Sequence, residues 1–177
     1  YLKHPKFLDD DTPPIVRSHM LEVYNDDDGT VLVTMPVRIC RSPILFVHGI
    51  WGAQSSFIDM DEDVRNQVGE ANIATYRVDY SETNAQNFSV NSYVLPMGLR
   101  GVTMKARKAG FSAAKNDVVC HSMGGVLARL HLQSSAYKFN IRSLTTINTP
   151  HSGTQAANLL FSPSGVITGS LIQIYGE

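Results

Sequence analysis

One stretch constrains this chain more than any other. The apolar run Val118-Val119-Cys120 stops at His121-Ser122-Met123-Gly124-Gly125, and a helical pattern begins at once. A short apolar strand that turns straight into a helix predicts a parallel sheet, because parallel strands are joined by helices that cover the sheet faces. The flanking sequence fits this. Ile44-Leu45-Phe46-Val47 is a second wholly apolar run, ending in His48-Gly49, while Ile73 to Tyr80 and Ile141 to Ile147 read as further strands. Between them Phe57, Met60, Val64 and Val68 fall at helical spacing, and Met97 to Lys108 has helical character. Gly124 to Ser134 reads as a helix with Val126, Leu127 and Leu130 on one face, and Ser152 to Leu160 as the start of another. The expected architecture is α/β, a largely parallel sheet with helices on both faces.

Upstream the pattern is different. Residues 1–19 are polar, contain Pro13-Pro14 and read as an irregular lead-in. His19 to Tyr24 and Thr30 to Val37 have strand character and are joined by Asn25-Asp26-Asp27-Asp28-Gly29, whose Asp-Gly ending signals a hairpin. A calcium loop spaces its carboxylates at alternate positions, so the three adjacent aspartates read as a solvated turn. Ser81 to Ala114 has no clear pattern before its helical part. The tail from Ser162 to Glu177, rich in Gly and Ser, reads as a loop or the start of a cap.

Composition excludes some roles. With 177 residues, a net charge of −1 and 43% hydrophobic residues, the chain has enough apolar side chains for one core. It lacks the basic excess that would suggest nucleic acid or an anionic membrane surface as partner. No apolar run approaches the roughly 20 residues that span a bilayer. Tyr1 to Lys6 lacks the apolar core of a signal peptide, and the chain begins without Met. A leader or upstream domain is therefore expected to have been removed or left out. Cys40 and Cys120 are expected to be unpaired thiols, with Cys120 a small buried hydrophobe. No metal-ligand cluster is visible, and neither metal nor cofactor is expected.

Ser122 is the candidate nucleophile. A serine hydroxyl reacts poorly unless it is exposed to a base and held in one direction, and a sharp strand-to-helix corner does both. Small residues two before it (Cys120) and two after it (Gly124) let strand and helix approach closely. The helix N-terminus adds unpaired N–H groups and a partial positive charge, so the Met123 N–H is expected to donate to a developing oxyanion.

His121-Ser122-Met123-Gly124-Gly125, followed by Leu127-Ala128-Arg129, resembles the nucleophile elbow of bacterial triacylglycerol lipases and related esterases of the α/β-hydrolase superfamily. The usual glycine two before the serine is Cys120 here, which predicts a slightly wider turn. Pro43 to Gly52 is similar to the segment that supplies the second oxyanion donor. The resemblance implies that Ile50 gives that N–H, that His48 orients the loop and that Trp51 walls a pocket. Leu144 to Gly153 resembles the strand and loop after the elbow helix, with Asn148 in place of a glycine and His151 as a structural loop residue. The similarity runs from about Pro36 to Leu160, with a weaker match at Asp79. It implies a carboxylic ester hydrolase, acting on lipid or other acyl esters, and leans towards a secreted or cell-envelope location. Residues 39–177 are then the N-terminal part of the catalytic domain, and residues 1–38 the lead-in and hairpin.

In that superfamily an acid and then a histidine follow the serine. Here the only carboxylate side chain after Ser122 is Glu177, and the only histidines are His131 and His151, with no acid between them and the serine. The leading expectation is that acid and histidine lie beyond Glu177. Otherwise a second chain supplies them, or the chain is a catalytically silent binding module. Met97, Leu99, Leu159, Leu160, Phe161, Val166 and Ile167 are candidates for an acyl pocket or lid, although core packing accounts for such residues more often.

Overall fold

A computed structural model describes residues 17–154. Four of its strands, β3 (Ile44–Val47), β4 (Thr75–Val78), β5 (Asn116–His121) and β6 (Ile141–Ile147), pair in parallel in the order β4-β3-β5-β6. Leu45 lies opposite Tyr76 on one side and Val118 on the other, and Val47 opposite Val78 and Cys120. This register puts Leu45, Val47, Val78, Val118 and Cys120 on one face, where strand residues two apart point the same way. Helix α2 (Val94–Lys108) and helix α3 (Met123–Leu132) cover that face. Val94, Leu95, Leu99 and Val102 of α2, with Leu127 and Ala128 of α3, complete the buried core. Gly98 lets α2 settle on the sheet, since a Cβ there would lie 2.9 Å from the Leu45 side chain.

The opposite face carries helix α1 (Ile58–Val68), as the alternation of helices and strands predicts. Phe57, just ahead of α1, packs on Phe46 with ring centroids 5.2 Å apart. The helix itself departs from the expected apolar stripe. Met60 is 40% exposed, and the residue α1 buries is Asp61. The reason lies on the facing strand: Arg77 of β4 points to this face, its Nε 3.2 Å from Asp61 Oδ2, and Arg65 adds a contact of 3.3 Å from one turn along. A buried carboxylate is tolerated because it is paired.

The hairpin is present, as β1 (Arg17–Tyr24) and β2 (Val31–Ile39), antiparallel and separate from the four-stranded sheet. Its turn closes through the Asn25 N–H on Thr30 O (2.8 Å), with Gly29 at φ +71°. Asp28 accepts from the backbone N–H of Thr30 at 2.9 Å, and this holds its carboxyl below the usual range. Arg38 of β2 donates to Asn72 Oδ1 at 2.6 Å, tying the hairpin to the approach to β4. Both cysteines are free thiols, with Cys120 fully buried. No helix among the described residues is long and apolar enough to cross a membrane. Most of the expected helix from Ser152 to Leu160 lies outside the described residues, and Ser152 to Thr154 are not helical.

Candidate active site

The strand order sets where a ligand can sit. From β3 the chain leaves through α1 to β4, whereas from neighbouring β5 it leaves through α3 to β6 on the opposite side. A crevice opens at the carboxyl ends of two such adjacent strands. Ser122 stands at one lip of it and the His48–Gly52 segment at the other.

Ser122 links the end of β5 to the first residue of α3, with φ +50° and ψ −123°. Such a conformation costs a non-glycine residue about 1–3 kcal/mol and persists only where its surroundings hold it. Its N–H donates to Ile147 O at 2.9 Å and its carbonyl accepts from Gly125 N–H at 3.1 Å. Cys120 anchors the strand below, where burial pushes its thiol pKa up to about 12. The corner is thus kept with cysteine in the position where glycine is usual. Gly124 allows the tight approach of α3 to β3, because a Cβ there would sit 2.6 Å from the carbonyl oxygens of both Val47 and His48. Ser122 is half-buried. Met123, as the first helical residue, has an N–H with no partner inside the helix.

The second lip presses on the first. A Cβ on Gly49 would lie 2.8 Å from Ser122 Cβ and 3.2 Å from His121 O. Ile50, the next residue, is partly exposed, and Trp51 is half-exposed at φ +57°. His48 below them is buried, stacked on Tyr80 with centroids 4.1 Å apart. Its Nδ1 lies 2.9 Å from Gly49 O, and its Nε2 accepts the Tyr80 N–H at 3.3 Å. That network assigns a neutral ring with the proton on Nδ1. Burial pushes the His48 pKa down, against smaller upward pulls from the Gly49 carbonyl and from Asp79, whose carboxylate is 3.8 Å away. Both ring nitrogens are occupied, in keeping with a ring that orients the loop.

The other sequence candidates fall away from Ser122 chemistry or outside the described residues. His131 is buried on α3 with its ring edge on Tyr137, and burial lowers its pKa. His151 is exposed, its Nε2 3.2 Å from Thr146 Oγ1, and its carbonyl accepts from Arg129. Asn148, in the position of a family glycine, has φ +51°, a conformation Asn tolerates better than most residues. Leu99 is in the core and Met97 is 41% exposed, while Leu159, Leu160, Phe161, Val166 and Ile167 lie outside the described residues. A cavity of about 310 Å³ between Arg41, Ile44, Val68 and Asp117 is at the amino ends of β3 and β5, the wrong edge for a ligand of Ser122. Sequence reasoning missed Tyr80 and the loop that follows it. The Tyr80 hydroxyl donates to His48 O, and Asn84 Nδ2 donates to Gly52 O at 2.7 Å.

Comparison with known proteins identifies the fold and the family. The lipase BlEst2 of Bacillus licheniformis in its mature form superposes with a TM-score of 0.54 at 24% identity, over 94% of this chain and 58% of that one. Its propeptide form gives a TM-score of 0.50 at 24% identity, over 85% of this chain and 29% of that one. The chain thus spans little more than half the length of the mature lipase. The shared fold is that of an α/β-hydrolase, as expected. Among curated proteins none matches. The profile of one family, palmitoyl protein thioesterase, matches residues 43–173, about three quarters of the chain and both lips of the crevice. The chain belongs to the palmitoyl protein thioesterase family, within the lipase- and esterase-like α/β-hydrolases.

Proposed function

We propose that this chain carries the nucleophile half of a serine hydrolase that cleaves acyl esters or thioesters through an acyl-enzyme at Ser122. The observation that carries this reading is the contact between the two lips. Gly49 backbone lies against the Ser122 side chain, which brings Ile50, the next residue, and Met123, the first residue of α3, to the two sides of the serine. Family membership and the match to a lipase fold support the reaction class.

In the proposed reaction Ser122 Oγ attacks the carbonyl carbon while its proton passes to a base. The carbonyl π electrons move onto oxygen, and the Met123 and Ile50 N–H groups donate to that oxyanion at the positive end of α3. Collapse expels the alkoxide or thiolate, which takes the proton, and leaves Ser122 acylated. Water activated by the same base then releases the carboxylic acid and restores the hydroxyl. The base is read as a histidine oriented by a carboxylate, and among the described residues the pair of that kind is His48–Asp79. His48 has both nitrogens occupied, and among the described residues neither His121 nor His151 is paired with a carboxylate.

A fluorophosphonate probe on the natural full-length protein tests the assignment. Labelling is expected on Ser122 and is expected to vanish in Ser122→Ala. The same variant should stop release of free thiol from a palmitoyl thioester and of p-nitrophenol from a long-chain ester. Folded full-length protein that takes no label would instead favour a silent binding module.

A further inference from the structure

The lip that carries Ile50 does not hold itself in place. Gly49 O accepts both the His48 Nδ1–H at 2.9 Å and the Gly52 N–H at 3.2 Å, which curls residues 49–52 into a tight turn. The turn forces Trp51 to φ +57°, a conformation costly for a bulky side chain. Something outside the turn must oppose its unwinding. The Gly52 carbonyl points out of the turn, and Asn84 Nδ2 meets it at 2.7 Å. Asn84 is 3% exposed, so this amide is withdrawn from water and the bond is not traded for one to solvent.

Asn84 is itself held. The loop after β4 is built around Asn91, which is fully buried. Its Nδ2 donates to Thr83 O at 2.9 Å and to Asn87 O at 3.3 Å, and its Oδ1 accepts the Thr83 hydroxyl at 2.7 Å. Tyr80, at the start of the same loop, grips the other end of the turn through its hydroxyl on His48 O and its N–H on His48 Nε2. The turn is therefore pinned at residue 48 and at residue 52, with Ile50 midway between. An N–H pinned on both sides is the kind of preorganised donor that pays no reorganisation cost when charge develops.

We propose that Asn84 is a positioning residue: its side-chain amide, fixed on the Gly52 carbonyl, aims the Ile50 N–H at the oxygen of a carbonyl bound at Ser122. This deepens the serine hydrolase reading and rests on it. Asn84 touches no substrate and acts through the turn, so its loss should lower the rate of the chemical step and leave substrate binding alone.

Two measurements on the natural full-length protein test it, one without catalysis. Asn84→Asp keeps the shape but replaces the donor with a second acceptor; Asn84→Ala removes the group. In both, amide hydrogen exchange at residues 50–52 should rise about tenfold while exchange in β5 and α3 is unchanged. In both, kcat for ester or thioester cleavage should fall roughly tenfold to a hundredfold with KM within about twofold, the signature of misplaced geometry. If neither variant accumulates folded, Gly52→Ala provides the perturbation, because a Cβ there meets Gly49 O at 3.2 Å and crowds the same turn. It should give the same split. Unchanged exchange at 50–52, or kcat equal to wild type in folded Asn84 variants, overturns the role of Asn84 while leaving Ser122 as nucleophile. Wild-type protein that neither turns over nor takes the fluorophosphonate overturns the hydrolase reading, and the catalytic role with it.

Discussion

Replacing Gly124 by Ala, beside the same change at Gly101, isolates what close packing does at the crevice. Both glycines lie in helices, where alanine is intrinsically favoured by about 1 kcal/mol, less in a first turn such as that of Gly124. They differ in what the new methyl meets. At Gly101 it is the Tyr76 ring, 3.0 Å away, and a side chain can swing aside. At Gly124 it is the carbonyl oxygens of Val47 and His48, both at 2.6 Å, roughly 0.8 Å short of ordinary contact. Backbone at the carboxyl end of an interior parallel strand cannot swing as a side chain can, so the N-terminus of α3 must lift. Overpacking of this kind costs about 1–3 kcal/mol, which exceeds the propensity gain. For a chain of this size the Tm should drop by roughly 3–8 °C in Gly124→Ala. In Gly101→Ala it should hold steady or rise slightly. Lifting α3 also moves the Met123 N–H and the Ser122 Oγ, so fluorophosphonate labelling of the full-length protein should slow about tenfold to a hundredfold. Differential scanning fluorimetry and a labelling time course read both effects. A Gly124→Ala protein as stable as wild type that labels at the wild-type rate would refute the packing argument, because it would mean α3 has slack where the contact distances allow none.

Ser122→Gly should be about 1 kcal/mol more stable than Ser122→Ala in urea unfolding, because glycine adopts φ +50° without strain. Equal midpoints would show that the corner stores no strain. Asp61→Ala strands Arg65 and Arg77 on α1 and β4 and should cost about 3 kcal/mol by urea unfolding, with a loss under 1 kcal/mol counting against a paired carboxylate. Burial lowers the folded-state pKa of His48 below its ordinary 6.5, so the unfolded chain binds the extra proton first. Stability should therefore fall as pH drops below about 6.5, by up to about 1.4 kcal/mol per pH unit from this ring, and His48→Gln should flatten that window. A stability that rises on acidification from pH 7 to 5.5 would contradict the burial argument. The 177-residue chain by itself should turn over esters barely above background, and robust turnover would show that a base within it serves Ser122.

The parts of this fold that announced themselves in sequence are those governed by local period and by steric demand at single positions. β3 coincides with the run Ile44–Val47, and the corner at Ser122 follows from an apolar strand abutting a glycine-rich helix start. Asn148, in the place of a family glycine, stands at φ +51°, a conformation that glycine adopts freely and Asn tolerates better than most residues. What stayed hidden depends on partners distant in sequence. The buried Asp61 is intelligible only with Arg77, which the strand brings to the same face; periodicity alone pointed to Met60 and its neighbours. The loop from Ser81 to Tyr93 has no apolar repeat because side-chain hydrogen bonds hold it, those of Asn84 and Asn91 to backbone carbonyls and that of the Thr83 hydroxyl to Asn91 Oδ1, and such bonds leave no trace in hydropathy.

The adjacency of β3 and β5 has a consequence for how the site comes into being. Ile50 and Met123 are roughly seventy residues apart along the chain, and they can act as the proposed donor pair only once Val47 lies beside Cys120. No local fragment can display it, and a nascent chain acquires it late, when the central strands have zipped together. Reactivity at Ser122 would then serve as a clock for completion of the sheet.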